Sequence, residues 1–266
     1  NMSELLLDDR KNQQREICKY SSCTGCGSCA MKCPVNAIEM IRNREGFLYP
    51  KVDMQKCINC NLCSNICQVN SKNEKNDMIK GQKYYALKNI DEVRKISSSG
   101  GAFRAIAERV IHKNGYVVAS CMNENWKMEH TFAGTLEEVK KQSKTFYVQG
   151  KCFHLFPKIE RFLQEDKLIL FVGTPCQIEG LKKFLGKEYD KLYLCDIICH
   201  GIPSQGIFDK YISYLESRGK LEELNQRDKS IGWNGYCVSA TIDGKKVKNK
   251  GWLKAYSVMF SHGLIN

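Results

Sequence analysis

Two cysteine runs near the front of the chain carry chemistry that an ordinary core does not need. The first sets Cys23, Cys26, Cys29 and Cys33 at C-x2-C-x2-C-x3-C spacing, and the second repeats it at Cys57, Cys60, Cys63 and Cys67. Three thiolates two residues apart wrap one loop around one face of an iron-sulfur cube, and the fourth cysteine starts a short helix that carries it to the other cube. The pairing is therefore crossed. Cys23, Cys26, Cys29 and Cys67 hold one 4Fe-4S cluster, while Cys57, Cys60, Cys63 and Cys33 hold the other. Gly25 and Gly27 suit backbone that curls close to inorganic sulfide and points amide hydrogens at it. Structural zinc asks for four ligands in two separated pairs, which this doubled arrangement matches poorly. Cys18 stands outside both runs and reads as a small buried hydrophobe.

The elements around these ligands follow from periodicity and turn residues. Between the runs, residues 37–41 and 47–52 flank Asn43, Arg44, Glu45 and Gly46, which predicts a hairpin. The duplicated unit resembles a bacterial-type two-cluster ferredoxin, an α+β fold. One departure is Gln68, which stands where the first run has Pro34. The polar stretch Ser71 to Asp77 has no apolar period and marks a boundary. The expected organisation is a ferredoxin-type domain over 1–70, a linker over 71–80 and a larger unit over 81–266.

In that larger unit strand-like and helix-like segments alternate, at residues 83–88, 101–112, 116–121, 136–142, 152–164, 168–172, 177–185, 192–198 and 206–218. Such alternation predicts an α/β domain with a mostly parallel sheet. Tyr236 to Ile242 and Lys245 to Lys248 around Asp243 and Gly244 predict a hairpin. Ligands of open α/β sheets sit at the carboxyl ends of strands, so the strand-to-helix turns carry the information. Ser97 to Ala102 opens a helix with small residues whose free amides suit a phosphate, or an ordinary serine cap. Leu168 to Val172 runs into Gly173, Thr174, Pro175, Cys176 and Gln177, with threonine at a capping position and proline at the first helical one. Leu192 to Ile198 leads likewise into Cys199, His200 and Gly201, where a histidine could donate a proton. No G-x-G-x-x-G occurs, which disfavours a nicotinamide Rossmann site.

Composition bounds what else the chain can be. Of 266 residues 42% are hydrophobic and 26% charged, enough apolar content for a real core and too much for a disordered chain. Nine of the 15 cysteines fall in the first 70 residues, and no export signal precedes them, so a disulfide framework is not expected and a reducing cytoplasm is. No apolar stretch approaches the roughly 18 residues of a membrane span. The net charge of +12 invites a nucleic-acid reading, yet the first 70 residues hold nine Lys and Arg against seven Asp and Glu and the remaining basic residues are scattered. A surface that attracts an acidic protein partner is the better reading, because thiolates on iron also lower the real charge.

Taken together, Ser98 to Gly101, Phe146 to Gln149, Gly173 to Gln177, Asp196 to Ser204 and Arg227 to Lys229 behind the two cysteine runs resemble the family of coenzyme F(420) hydrogenase/dehydrogenase beta subunits. The resemblance implies FAD bound by the α/β unit and an oxidoreductase that passes electrons between two 4Fe-4S clusters, the flavin and a hydride-type small molecule such as the deazaflavin coenzyme. The partners would be a redox protein and that small-molecule donor or acceptor. Carried onto this sequence, Ser98, Ser99, Gly100 and Gly101 would meet the flavin pyrophosphate. Gln149, Thr174, Pro175, Cys176, Gln177, His200 and Gly201 would line its ring, with His200 or Cys176 handling a proton. Cys176 and Cys199 have an alternative reading as ligands of an extra cluster, and the whole chain has one as a non-enzymatic electron-transfer subunit. Trp252, Tyr256, Met259, Phe260 and Leu264 fall on one helical face without a following cap, so the chain is expected to be truncated at its C-terminus.

Overall fold

The computed structural model describes residues 15–71, 82–199, 201–230, 232 and 237–256. The cysteine-rich unit is built on one antiparallel hairpin, β1 (Ile38–Arg42) and β2 (Leu48–Val52), with Ile38 opposite Val52 and Arg42 opposite Leu48. Its turn forms because the Asn43 side chain accepts from the amides of Glu45 and Phe47, at 3.1 and 2.9 Å, replacing ladder bonds the chain loses there. Two four-residue helices, α1 (Ser28–Met31) and α2 (Leu62–Asn65), repeat each other.

Left-handed residues start each helix, Gly27 at φ 75° and Asn61 at φ 60°, and a second such pair precedes them at Gly25 and Asn59. Glycine and asparagine are the residues that tolerate this region, so the second run keeps the geometry of the first without its glycines. Each short helix carries the third cysteine of its run, Cys29 or Cys63, and the fourth follows the helix end. The expectation that the fourth cysteine starts the helix is thus corrected. The left-handed residue before the third cysteine already turns the chain into helix.

A sheet covered by helices on both faces follows the ferredoxin-like unit. The strands β3 (Tyr116–Met122), β4 (Met128–Ala133), β5 (Ile169–Gly173) and β6 (Leu192–Asp196) lie in the order β4-β3-β5-β6. Pairings β3-β5 and β5-β6 are parallel and β3-β4 is antiparallel, so the sheet is mixed. Strand alternation sorts the core: Val118, Ile169 and Phe171 face one cluster, while Val117, Ala119 and Leu170 face the other. On the first face lie α6 (Phe156–Gln164) and α7 (Pro175–Leu185), and on the second lie α4 (Ala102–Ile111) and α5 (Leu136–Lys141). A short helix, α3 (Asp91–Ile96), precedes α4.

After α8 (Gln205–Glu216) the chain makes a second sheet, antiparallel, of β7 (Leu221–Asp228), β8 (Cys237–Ile242) and β9 (Lys245–Lys248). The expected β8-β9 hairpin is present, closed by Asp243 and Gly244, both at positive φ as a two-residue loop of that hand requires. Residues 82–90 hold neither helix nor strand, which corrects the element expected at 83–88. Strands β4 and β7 lay outside the expected alternation. Glu129, His130 and Thr131 interrupt the apolar pattern of β4, and Glu222, Glu223, Asn225 and Arg227 do the same for β7. Most of the linker expected at 71–80 and most of the C-terminal apolar face lie outside the described residues. Trp252 and Tyr256 of that face are described, with Tyr256 buried in the α8-β7-β8 core. Among the described residues no helix is long and apolar enough to cross a membrane.

Candidate functional site

The thiols of the two runs gather into two places. A small pocket is lined by Cys33, Cys57, Cys60 and Cys63, together with Pro34, Ile38, Val52 and Leu62. Those are one cysteine of the first run and three of the second. The complementary grouping has its own marker: the Cys18 thiol acts on both Cys23 and Cys67, residues from opposite ends of the two runs. Among the described residues no three His, Cys, Asp or Glu side chains close on one point as a single ion requires. A cube holds its ligand sulfurs farther apart than a lone ion does.

Donors surround these sulfurs. The Ala37 amide donates to Cys33 Sγ at 3.2 Å, and the Arg15 guanidinium reaches Cys57 Sγ at 3.5 Å. Contact with Cys18 lowers the Cys23 thiol and lowers Cys67 to about 6, against the pull of burial in both cases. Burial pushes the Cys29 thiol up, and the charges of Cys26, Cys23 and Cys67 add to it. This mutual repulsion is what bound iron would relieve, since thiolates are its ligands. The residues present therefore fit two clusters in the crossed pairing.

The first run is seated against the α/β unit. Gly180 in α7 lies so close that a Cβ there would stand 2.8 Å from Cys26 Cβ and 3.2 Å from its sulfur, and Ser28 Oγ donates to the Gly180 carbonyl at 2.6 Å. A Cβ on Gly27 would stand 2.2 Å from the Phe153 ring. Gln68, the departure from proline, donates from its carboxamide to the Cys176 carbonyl at 2.9 Å and to Thr24 Oγ1 at 3.3 Å. It ties the end of the second run to α7. Its signal in the sequence was a polar side chain where the repeat has proline. Phe153 and Gly180 gave no such signal, because close approach is a property of the folded pair.

Cys176 Sγ lies 3.1 Å from Thr174 Oγ1, and its thiol is pushed up by burial, with the charges of Cys26 and Cys199 adding to it. Cys152 is almost fully buried, and burial raises its thiol as well, with the charges of Cys26 and Cys176 adding to it. The turn after β5 therefore faces the first cysteine run. Thr174 and Gln177 form a capping box: the Gln177 carboxamide accepts from the Thr174 amide at 3.0 Å and donates to the Gly150 carbonyl at 3.1 Å. Gln149 likewise accepts from the Leu48 amide of β2 at 3.0 Å. Both glutamines expected beside a ring thus hold backbone, and Pro175 fills the first turn of α7. Cys199 is exposed, its thiol directed to the Gly201 carbonyl, with Gly201 at φ 123°. His200 lies outside the described residues.

The serine-glycine loop has separate anchors. Ser98 Oγ accepts from the Thr145 amide at 2.7 Å, and Lys229 Nζ donates to the carbonyls of Arg94 and Ser99 at 2.5 and 3.2 Å. Gly101 caps α4 at φ 83° directly after Gly100. Beside the loop, Asp91, Arg94, Lys95 and Lys229 line an open concavity of about 270 Å³. Asp91 pairs with Arg94 at 2.8 Å, which leaves Lys95 and Lys229 as the excess positive charge at the last turn of α3.

Asp228 precedes Lys229 at the end of β7. Burial opposes its ionisation, but hydrogen bonds from Ser239 at 2.6 Å and from Ser230 together with nearby Lys246 hold its carboxyl far below the usual range. A depressed folded-state value means that stability is present above the ordinary carboxylate range near 3.9 and is lost as pH falls below it. Replacing Asp228 by alanine should cost about 1.5–3 kcal/mol and flatten the acid limb of a stability-against-pH curve. Chemical denaturation between neutral and acid pH checks this.

Fold and site together define a class, a dicluster iron-sulfur unit fused to an α/β body. Residues 22–71 match the 4Fe-4S dicluster domain, and residues 166–255 match the C-terminal region of the coenzyme F420 hydrogenase/dehydrogenase beta subunit. Over these two stretches the chain is similar to the coenzyme F(420) hydrogenase/dehydrogenase beta subunits. It is 27% identical over 188 residues to a subunit of the F(420)H(2) dehydrogenase of Methanosarcina mazei, a stretch that covers 67% of this chain and 53% of that protein. The chain thus spans about half the length of the curated relative it matches. It also aligns with a chain of the F(420)-reducing NiFe hydrogenase complex from Methanosarcina barkeri at 13% identity and TM-score 0.43, over 67% of this chain and 61% of that one.

Proposed function

We infer that this protein is the electron-handling part of an iron-sulfur flavoprotein oxidoreductase, with its first cluster held against the body that binds the flavin. The observation that carries the reading is the seating of Cys26 on Gly180 of α7, with Cys152 and Cys176 just beyond. Cys23, Cys26, Cys29 and Cys67 hold the inner cluster. Cys33, Cys57, Cys60 and Cys63 hold the outer one, whose Cys60 is exposed. Electrons entering at the exposed side reach the α/β unit through the inner cluster.

The phosphate end of an FAD would meet the last turn of α3 and the loop before α4. Lys95 and Lys229 offer the positive charge, and the Ser98 to Gly101 loop offers backbone amides at the start of α4. At the ring end, Thr174 and Cys176 remain, since Gln149 and Gln177 are committed to backbone partners. When bound, a flavin supplies the exchange between single electrons and a hydride. The other partners are a one-electron redox protein and a hydride-type small molecule, for which the deazaflavin coenzyme named with the curated relative is the example.

The test is anaerobic purification followed by a visible spectrum, released-flavin assay and iron content. Flavin together with broad cluster absorption supports the reading. Clusters without flavin would leave a plain electron-transfer protein, the alternative function. Replacing Lys229 by glutamate should lower flavin content about tenfold or more while leaving iron unchanged, because it inverts one of the two excess charges beside the pyrophosphate. Equal flavin in both proteins would overturn the phosphate assignment.

A further inference from the structure

The two cysteine runs repeat each other in order, and folding covers only one of them. In the first run Thr24 Oγ1 accepts from Gln68 at 3.3 Å, Cys26 lies against Gly180, and Ser28 Oγ donates to the Gly180 carbonyl at 2.6 Å, so the loop is seated on α7. The residues that match Thr24 to Gly27 in the second run are Ile58, Asn59, Cys60 and Asn61, and all four are exposed. Ile58, 61% exposed, is the one large apolar side chain left open among the described residues of the cysteine-rich unit. Pro34, exposed, and Val35, half-buried, share with it the lining of the pocket around Cys33, Cys57, Cys60 and Cys63. The bare loop is not slack. Arg15 donates to Asn59 Oδ1 at 2.6 Å and to Asn61 Oδ1 at 2.5 Å, and both asparagines sit at positive φ. An apolar tip already held in place leaves little ordering to be done when a partner binds.

Resting on the cluster assignment above, we propose that the Ile58 loop is the docking surface for a small acidic one-electron carrier protein, with Ile58 as its central contact. Ile58 stands between Cys57 and Cys60, two ligands of the outer set, so a carrier seated on it meets that set at its exposed cysteine. Charge sets the partner's sign. The chain carries +12, which draws a negative face in from a distance, and residues 54–71 hold no Asp or Glu to repel it. Close to the loop Asp53 offsets Lys56 at 3.4 Å, and Arg15 remains as the loop's own cation. Ile58, Pro34 and Val35 then give the carrier an apolar contact. The carrier supplies one electron and is oxidised as the outer set is reduced, and no bond or proton changes hands. The α/β body occupies this same loop in the first run, so the duplicated unit turns one matching face to each end of the electron path.

The probe is an acidic plant-type ferredoxin offered to anaerobically purified full chain. Stopped flow follows its oxidation when it is supplied reduced, and titration calorimetry at low salt follows binding of its oxidised form with no electron moved. Ile58→Thr copies the first run's residue, Ile58→Glu adds a charge like the carrier's, and Ile106→Glu places the same charge on the exposed side of α4. The expected result is full iron in every variant, a ferredoxin rate constant that falls about tenfold in Ile58→Glu and less in Ile58→Thr, and weaker binding in the same order. Ile106→Glu should change little, and reduction by methyl viologen, which needs no docking, should be close to equal in all four proteins. If Ile58→Glu loses iron, the rate and affinity of Ile58→Thr decide. Equal ferredoxin rates and affinities at full iron overturn the proposal, as does equal slowing by Ile106→Glu and Ile58→Glu, which would leave only net charge at work. A parent reduced by viologen and not by ferredoxin overturns it as well. So does a parent dimer that Ile58→Glu splits in sedimentation, which would give the loop to a second copy. A parent protein without iron would instead sink the cluster assignment on which the proposal rests.

Discussion

Replacing Cys23 and Cys67 together by alanine is expected to remove about half of the iron, whereas replacing Cys23 and Cys33 together should remove nearly all of it. Both pairs delete two thiols, and both leave six of the eight. The difference comes from which cube each thiol serves. In the first pair the two losses fall on the cluster already marked by Cys18, and the outer set of Cys33, Cys57, Cys60 and Cys63 around its cavity stays whole. In the second pair each cluster loses a ligand, although both residues belong to one run. A run-by-run pairing predicts the reverse, with Cys23 and Cys33 lost together costing a single cluster. Iron and acid-labile sulfide analysis of the two double variants separates these outcomes without any activity assay.

The second large effect is expected at Gly27. Its φ of 75° costs any residue with a Cβ roughly 1–2 kcal/mol, and the Phe153 ring occupies the place where that Cβ would go. Overpacking adds about 1–3 kcal/mol, so Gly27→Ala should lose roughly 2–5 kcal/mol in all. Gly186, at the end of α7, supplies the control. It has nearly the same φ, 69°, but nothing stands within 4 Å of its would-be Cβ, so Gly186→Ala should show the backbone cost alone. Adding Phe153→Ala to Gly27→Ala should restore less than the full loss, because it removes the clash and opens a cavity in the core shared with α6 and α7. Denaturant midpoints of the four proteins check the ranking. Equal losses for Gly27→Ala and Gly186→Ala would show that Phe153 yields freely.

The Gly27 experiment probes the seam between the cysteine-rich unit and the α/β body, where positioning depends on a few atoms. Gly180 gives Cys26 its approach, Ser28 bonds the Gly180 carbonyl, and Gln68 bonds the Cys176 carbonyl. On the far side of the hairpin Arg42 pairs with Asp209 at 3.1 Å, and Asp209 also takes Lys127 at 2.6 Å. The polar ties set the angle of the seam, and the apolar contacts of Met31, Met40 and Leu48 with the α6-α7 core hold it closed.

Much of this molecule was legible residue by residue. The paired cysteine spacings, the Asn43 to Gly46 turn, the Asp243-Gly244 hairpin and the helix starts at Thr174 and Ser204 are local, decided by what a few neighbouring residues can do with their own backbone. The α/β alternation was legible too, because Leu168 to Val172 and Val117 to Ala119 are apolar on both faces. What folding alone decided is long-range. The sequence offered no reason for β4 to pair antiparallel at the sheet edge, since its Glu129, His130 and Thr131 are held there by cross-strand partners on β3. Nor could it show that the glutamines at 149 and 177 would commit their carboxamides to distant backbone, or that Cys18 would meet Cys67 across almost fifty residues. Spacing fixes which thiols share a loop; only the closed chain brings sulfurs from separate loops to the same cube, because that proximity is a property of packing and not of order along the polymer.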